Sequence, residues 1–101
     1  MITLFDKFFK DKNTDKYIVY FTYLTGKYVD NFFVTIDELN TDVLSSSRYY
    51  NEDSIKYIRI FNENEVIKYI KKFSKRYNYY KFYYMKYEDF LLDISTNKYN
   101  L

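Results

Sequence analysis

The sequence predicts a small α+β domain: a mostly antiparallel sheet of about four strands, opened by an N-terminal hairpin, with one long amphipathic helix packed on one face. Three observations carry this. Two runs of β-branched and aromatic residues, 17–24 and 31–36, flank the only glycine, Gly26. An apolar pattern at helical spacing runs from Asn62 to Tyr77 behind a complete capping signal. Two further strand-like runs, 55–61 and 79–87, bracket that helix. The chain has 101 residues, of which 48% are hydrophobic, so it reads as a single domain, 1–101, able to fill its own core.

The elements follow in order. Thr3, with Asp6 three residues on, fits the cap of a short helix burying Leu4, Phe5, Phe8 and Phe9. The first strand, Tyr17-Ile18-Val19-Tyr20-Phe21-Thr22-Tyr23-Leu24, is apolar on both faces, as expected inside a sheet rather than at its edge. Thr25-Gly26-Lys27 turns the chain, because glycine supplies the positive φ that a tight hairpin demands. Asn31-Phe32-Phe33-Val34-Thr35-Ile36 returns as the second strand. Residues 37–44 read as a helical turn and 45–51, with three consecutive serines, as loop. The segment 55–61 reads as a strand. Asn62 then caps the long helix with Glu65 at N3, and Phe61 and Val66 stand at staple spacing. Val66, Ile67, Ile70, Phe73 and Tyr77 recur at helical spacing. The run 79–87 reads as the last strand and 88–94 as a helical turn.

Composition excludes several kinds of chemistry. Histidine, cysteine, proline and tryptophan are absent. There can be no disulfide framework, no Cys/His zinc site, no Cys or His nucleophile or base, and no Ser-His-Asp triad. No cofactor is expected, and the chain reads as non-enzymatic. Carboxylates remain, in the groups Asp37-Glu38-Asp42, Glu52-Asp53 and Glu88-Asp89-Asp93. Oxygen ligands of this type hold divalent cations, but none of these groups has a diagnostic ligand spacing. An acid at the start of a helical turn is accounted for by capping. A small metal-dependent nuclease is therefore the third-ranked reading.

Tyr17-Ile18-Val19-Tyr20 and Leu24-Thr25-Gly26-Lys27-Tyr28-Val29 resemble the opening hairpin of GIY-YIG nucleases. The resemblance is confined to that hairpin, and both signature glycines are missing. In that family a helix with a catalytic arginine follows, whereas here the following segment offers only Arg48 in an expected loop. Any aromatic hairpin around a Thr-Gly turn has this form, and no family is assigned from it.

Charge is segregated. Residues 55–86 hold nine basic side chains against two acidic ones, while the remainder holds seven basic against twelve acidic. The overall +2 conceals this polarity. The eleven residues from Tyr77 to Tyr87 include six tyrosines, and a strand cannot bury them all because each hydroxyl needs a partner. The candidate binding residues are thus Lys68, Lys71, Lys72, Lys75 and Arg76 on the helix, with Tyr79, Tyr80, Tyr83 and Tyr84 on the strand. The two features should meet near 76–80. Such a surface docks on an acidic protein, with tyrosines as rigid anchors, or tracks a phosphate backbone and stacks bases. Arginine is scarce, which weighs against specific base readout, and no RRM, KH or helix-turn-helix motif is present.

Phe, Tyr, Ile, Asn and Lys, with AT-rich codons, dominate the sequence, and Gly, Ala, Arg and Pro, with GC-rich codons, are rare or absent. This points to a very AT-rich genome, that of a low-GC bacterium, its phages or mobile elements, or of an AT-rich eukaryotic or archaeal virus. No signal-type or membrane-length apolar run is visible, so an intracellular protein without membrane association is expected. The leading reading is a phage- or mobile-element-encoded protein that binds and inhibits a host macromolecule. A nucleic-acid-handling defence enzyme, alone or as a protein–nucleic-acid complex, would be such a target, as for an anti-CRISPR protein. The alternative is direct nucleic-acid binding through 55–87.

Overall fold

The computed structural model describes residues 15–23, 31–40, 42–48 and 52–99. The expected N-terminal helix and the turn at Gly26 lie outside them. Four strands, β1 (Tyr17–Tyr23), β2 (Phe32–Val34), β3 (Ser46–Ser47) and β4 (Tyr80–Lys86), form one sheet in the order β3-β2-β1-β4. Every neighbouring pair is antiparallel. Two helices accompany it, α1 (Glu63–Arg76) and α2 (Tyr87–Tyr99).

The central place of β1 explains its two apolar faces. Side chains alternate across a strand, so its odd and even residues enter different layers. Tyr17, Val19 and Phe21 pack with Val66, Tyr69 and Phe73 of α1, together with Val34 and Phe61. Ile18 packs on the other side with Ile58 and with Phe90 of α2. Two helices therefore contribute to two cores, where the sequence suggested one helix on one face. The expected turn at 88–94 falls in the first half of α2, which begins as soon as β4 ends.

Helix α1 forms as its sequence dictates. The Asn62 side chain accepts from Glu65 N–H at 2.8 Å, and Glu65 reaches back to the Asn62 N–H at 3.5 Å. Tyr77 closes the last turn by donating its N–H to the Phe73 carbonyl at 2.8 Å.

The segment 55–61 is not a sheet strand. A 3-10 turn occupies Ile55–Tyr57, followed by two isolated bridges, Thr35↔Ile58 and Tyr17↔Phe61. The cause lies in β1 and β2, whose ladder joins only Tyr20↔Phe33 and Phe21↔Phe32. Residues 58–61 wedge between the two strands where that ladder ends. Ile36 N–H donates to the Tyr57 carbonyl and Arg59 N–H to the Val34 carbonyl on one side. Tyr17 and Phe61 exchange both backbone bonds at 2.9 Å on the other. Ile58 and Phe61, each 1% exposed, go to opposite cores.

The fourth strand is instead Ser46–Ser47, inside the expected loop. Serines carry no strand signal, but backbone bonding to β2 is enough at an edge. The Thr35 and Ser45 hydroxyls add a bond of 2.7 Å beside it. Nor is the segment from Asp37 helical. Asp37 Oδ1 accepts from the N–H groups of Leu39 and Asn40 at 3.0 and 3.2 Å, and Asn40 Oδ1 accepts from Asp42 N–H at 3.0 Å. These local bonds compete with the helical ones and win.

Candidate interaction surface

With Val66, Tyr69 and Phe73 buried, α1 turns Lys68, Lys71, Lys72, Lys75 and Arg76 outward, and all five are exposed. They do not act alike. Lys72 Nζ donates to Asp42 Oδ1 at 2.6 Å, and the Arg76 guanidinium donates to the Asp42 backbone carbonyl. The bond and charge of Lys72 hold the Asp42 carboxyl below its usual range. These two cations therefore clasp the segment before β3 onto the helix. Lys68, Lys71 and Lys75 make no ion pair among the described residues. Their spacing lines them along one solvent-facing stripe.

The tyrosines divide by strand parity. Tyr80 and Phe82 pack toward the α1 core, and Tyr84 shares their face. Tyr83 lies on the opposite face, stacked on Tyr20 at 5.3 Å, with Lys81 Nζ 5.4 Å from its ring centre. Tyr84 sits at the far end of β4, 5.8 Å from the Tyr17 ring. The four strand tyrosines named from the sequence thus do not form one surface. Tyr79 and Tyr80 do meet the end of α1, where Tyr77 lies 6.3 and 6.0 Å from them.

That junction includes a residue the sequence reading left out. Tyr23 ends β1 opposite Tyr80, its ring 5.0 Å away, and is 52% exposed, as is Tyr79. Only the β1–β4 register reveals this pairing. Arg59 belongs to the basic segment 55–86 but is not one of the candidate binding residues read from the sequence. Its guanidinium lies 4.9 and 5.2 Å from the ring centres of Phe61 and Tyr69, beside a shallow groove of about 260 Å³ bordered by Lys68 and Lys72.

Tyr69 gives this wall a measurable signature. Burial pushes its hydroxyl up from 10.0 to about 12, against the lowering influence of Arg59. Tyr80 is also pushed up to about 12, by burial and by side-chain hydrogen bonds with Tyr23 and Tyr79. Folded-state values above the unfolded value make the neutral phenols stabilising. Their contribution is complete below pH 10 and is lost as pH rises toward about 12. Denaturant midpoints measured across that interval should fall, and Tyr69→Phe should flatten part of the decline. An identical decline in Tyr69→Phe would show that Tyr69 is solvated.

The acidic groups have local roles. Asp37 orders its turn, Asp42 is clasped, and Glu88 and Asp89 lie in the first turn of α2, where the helix dipole favours them. No three carboxylates converge on a point among the described residues. Among those residues no helix is long and apolar enough to cross a membrane. No protein family matches the chain, and neither does any curated protein or solved structure.

Proposed function

We propose that this is a non-enzymatic binding protein, encoded by a phage or mobile element, that acts in the host cytoplasm by occupying a surface of a host protein. A nucleic-acid-handling defence enzyme is the kind of target intended. The observation that carries the binding role is the junction at the end of α1. Lys71 and Lys75, which make no ion pair among the described residues, stand close in sequence to exposed Tyr79, with Tyr23 alongside Tyr80. Rigid aromatics beside cations suit an acidic protein surface, where tyrosine anchors supply contact area at small entropic cost. The source assignment rests on the AT-biased composition.

The test is capture from the lysate of a low-GC bacterium, with and without nuclease. The expected result is a defined protein partner that survives nuclease and is lost with Tyr79→Ala. Truncation of a well-packed interface tyrosine costs at least about 2 kcal/mol, whereas Lys75→Ala should mainly slow association. Recovery of nucleic acid alone would reject the reading. The stripe of Lys68, Lys71 and Lys75 supports the second reading, direct nucleic-acid binding. In that case each lysine removed would reduce the salt-dependence slope by about one.

A further inference from the structure

Among the described residues, the outer edge of β4 combines an open hydrogen-bonding ladder with positive charge that makes no ion pair. The strand pairs with β1 over seven positions in unbroken register, from Tyr17↔Lys86 to Tyr23↔Tyr80. Tyr17 spends its N–H and C=O on Phe61, on the side away from β4. Tyr17↔Lys86 is therefore a non-hydrogen-bonded pair, and antiparallel alternation fixes the others. Lys81, Tyr83 and Met85 bond to β1. Phe82 and Tyr84 direct their N–H and C=O groups outward. Two bonds beyond the ladder agree with this parity. Tyr87 N–H donates inward to the Lys16 carbonyl at 2.9 Å, and Tyr80 N–H turns back to the Tyr77 carbonyl at 3.1 Å.

Beyond Phe82 and Tyr84 no strand follows among the described residues, because β4 ends the sheet order. The common protections of an edge are a bulge, a proline or charge. Here the register is continuous, proline is absent and no described strand covers the edge, so among the described residues charge is the protection that remains. It consists of Lys81 and Lys86, both exposed and neither ion-paired among the described residues. A second copy aligned on this edge would bring two more lysines and no carboxylate. The same charge favours an acidic strand.

We propose that the outer edge of β4 receives an extended acidic segment of the partner protein as an added strand. The segment bonds to the N–H and C=O groups of Phe82 and Tyr84. Lys81 and Lys86 are five positions apart and on opposite faces, so the segment carries carboxylates five residues apart, with apolar residues between them. Main-chain bonds supply affinity in this mode, and the alternate side chains supply selectivity. The inference rests on the reading that the partner is a protein.

The probe is the peptide Thr-Glu-Val-Thr-Val-Thr-Glu-Thr, titrated into the full chain and followed by amide NMR and hydrogen exchange. Phe82 and Tyr84 amides should shift and become protected. Replacing both glutamates with lysines should weaken binding about tenfold, as two cross-strand pairs turn repulsive. Tyr84→Pro removes an outward N–H, which an edge strand tolerates, and should abolish binding. Tyr84→Thr keeps that N–H and should retain it. Should Tyr84→Pro fail to fold, the double variant Lys81→Glu, Lys86→Glu decides: its preference must switch to the lysine peptide. Unchanged preference, unchanged binding by a folded Tyr84→Pro, or no binding at all would overturn the proposal. So would Phe82 and Tyr84 amides already protected in the free chain, or a dimer that the peptide does not disperse. A captured protein partner alongside a failed titration removes strand addition only. Capture of nucleic acid alone removes the protein reading, whatever the peptide does.

Discussion

Phe73→Ala should lower the unfolding free energy by about 3–5 kcal/mol, the cost of emptying a large buried aromatic site. Phe73 is 1% exposed and belongs to the core between α1 and β1. Its ring lies 4.2 Å from Tyr69, stacked at 27°, and 6.0 Å from Tyr77, nearly parallel at 5°. Those neighbours are held by the helix and cannot collapse into the gap. Natural domains are stable by about 5–15 kcal/mol, so this one change removes much of the margin. Ile70→Ala is the internal comparison. Ile70 is only partly buried against the same core and should cost distinctly less. Urea denaturation of the two variants measures the difference. Equal losses, or none, would mean that α1 presents a different face to the sheet.

Phe90→Ala should cost a similar amount, about 3–5 kcal/mol, through the other core. Phe90 is 2% exposed and joins Ile18 and Ile58 beneath the sheet, with its ring 5.2 Å from Phe33. Among the described side chains of α2, Tyr87 and Ile94 join Phe90 in that core, and both are only partly buried. Leu92 is 64% exposed. The variant should therefore accelerate amide exchange in α2 more than in α1. An unchanged exchange pattern in residues 88–95 would show that the helix is anchored by something other than Phe90.

These two residues also mark what the sequence could and could not convey. Phe73 lies in a regular stripe behind Asn62 and Glu65, and local chemistry suffices to place α1. Phe90, Leu91, Leu92 and Ile94 are clumped rather than periodic, so only a short helical turn was legible there. The double-sided apolar character of β1 correctly implied a central strand. Ile55 to Phe61 is likewise rich in β-branched and aromatic residues, but its place was decided by the diverging ends of β1 and β2. No local pattern encodes that. Ser46–Ser47 became a strand through backbone bonding alone. At the candidate surface, chain adjacency suffices to bring Tyr79 and Tyr80 to Tyr77 at the end of α1. The separation of Tyr83 from Tyr84 required strand parity. The clasp on Asp42 joins residues 30 and 34 positions apart in the chain, beyond any helical period.

The longest ladder in the sheet joins β1 to β4, whose paired residues are more than fifty positions apart in the chain. Contacts of such sequence separation must meet the entropy of closing a large loop before they return any stability. Helix α1 lies inside that loop and can form early from its own capping signals. β1 cannot gain its main partner until β4 exists. During synthesis, at roughly 5–20 residues per second, β1 is therefore made seconds before the strand that completes it. Until then its seven residues are a sticky apolar segment with one long side open. The order of the strands thus makes folding a late, concerted event, and the nascent chain passes through an interval in which chaperones or premature association compete for β1.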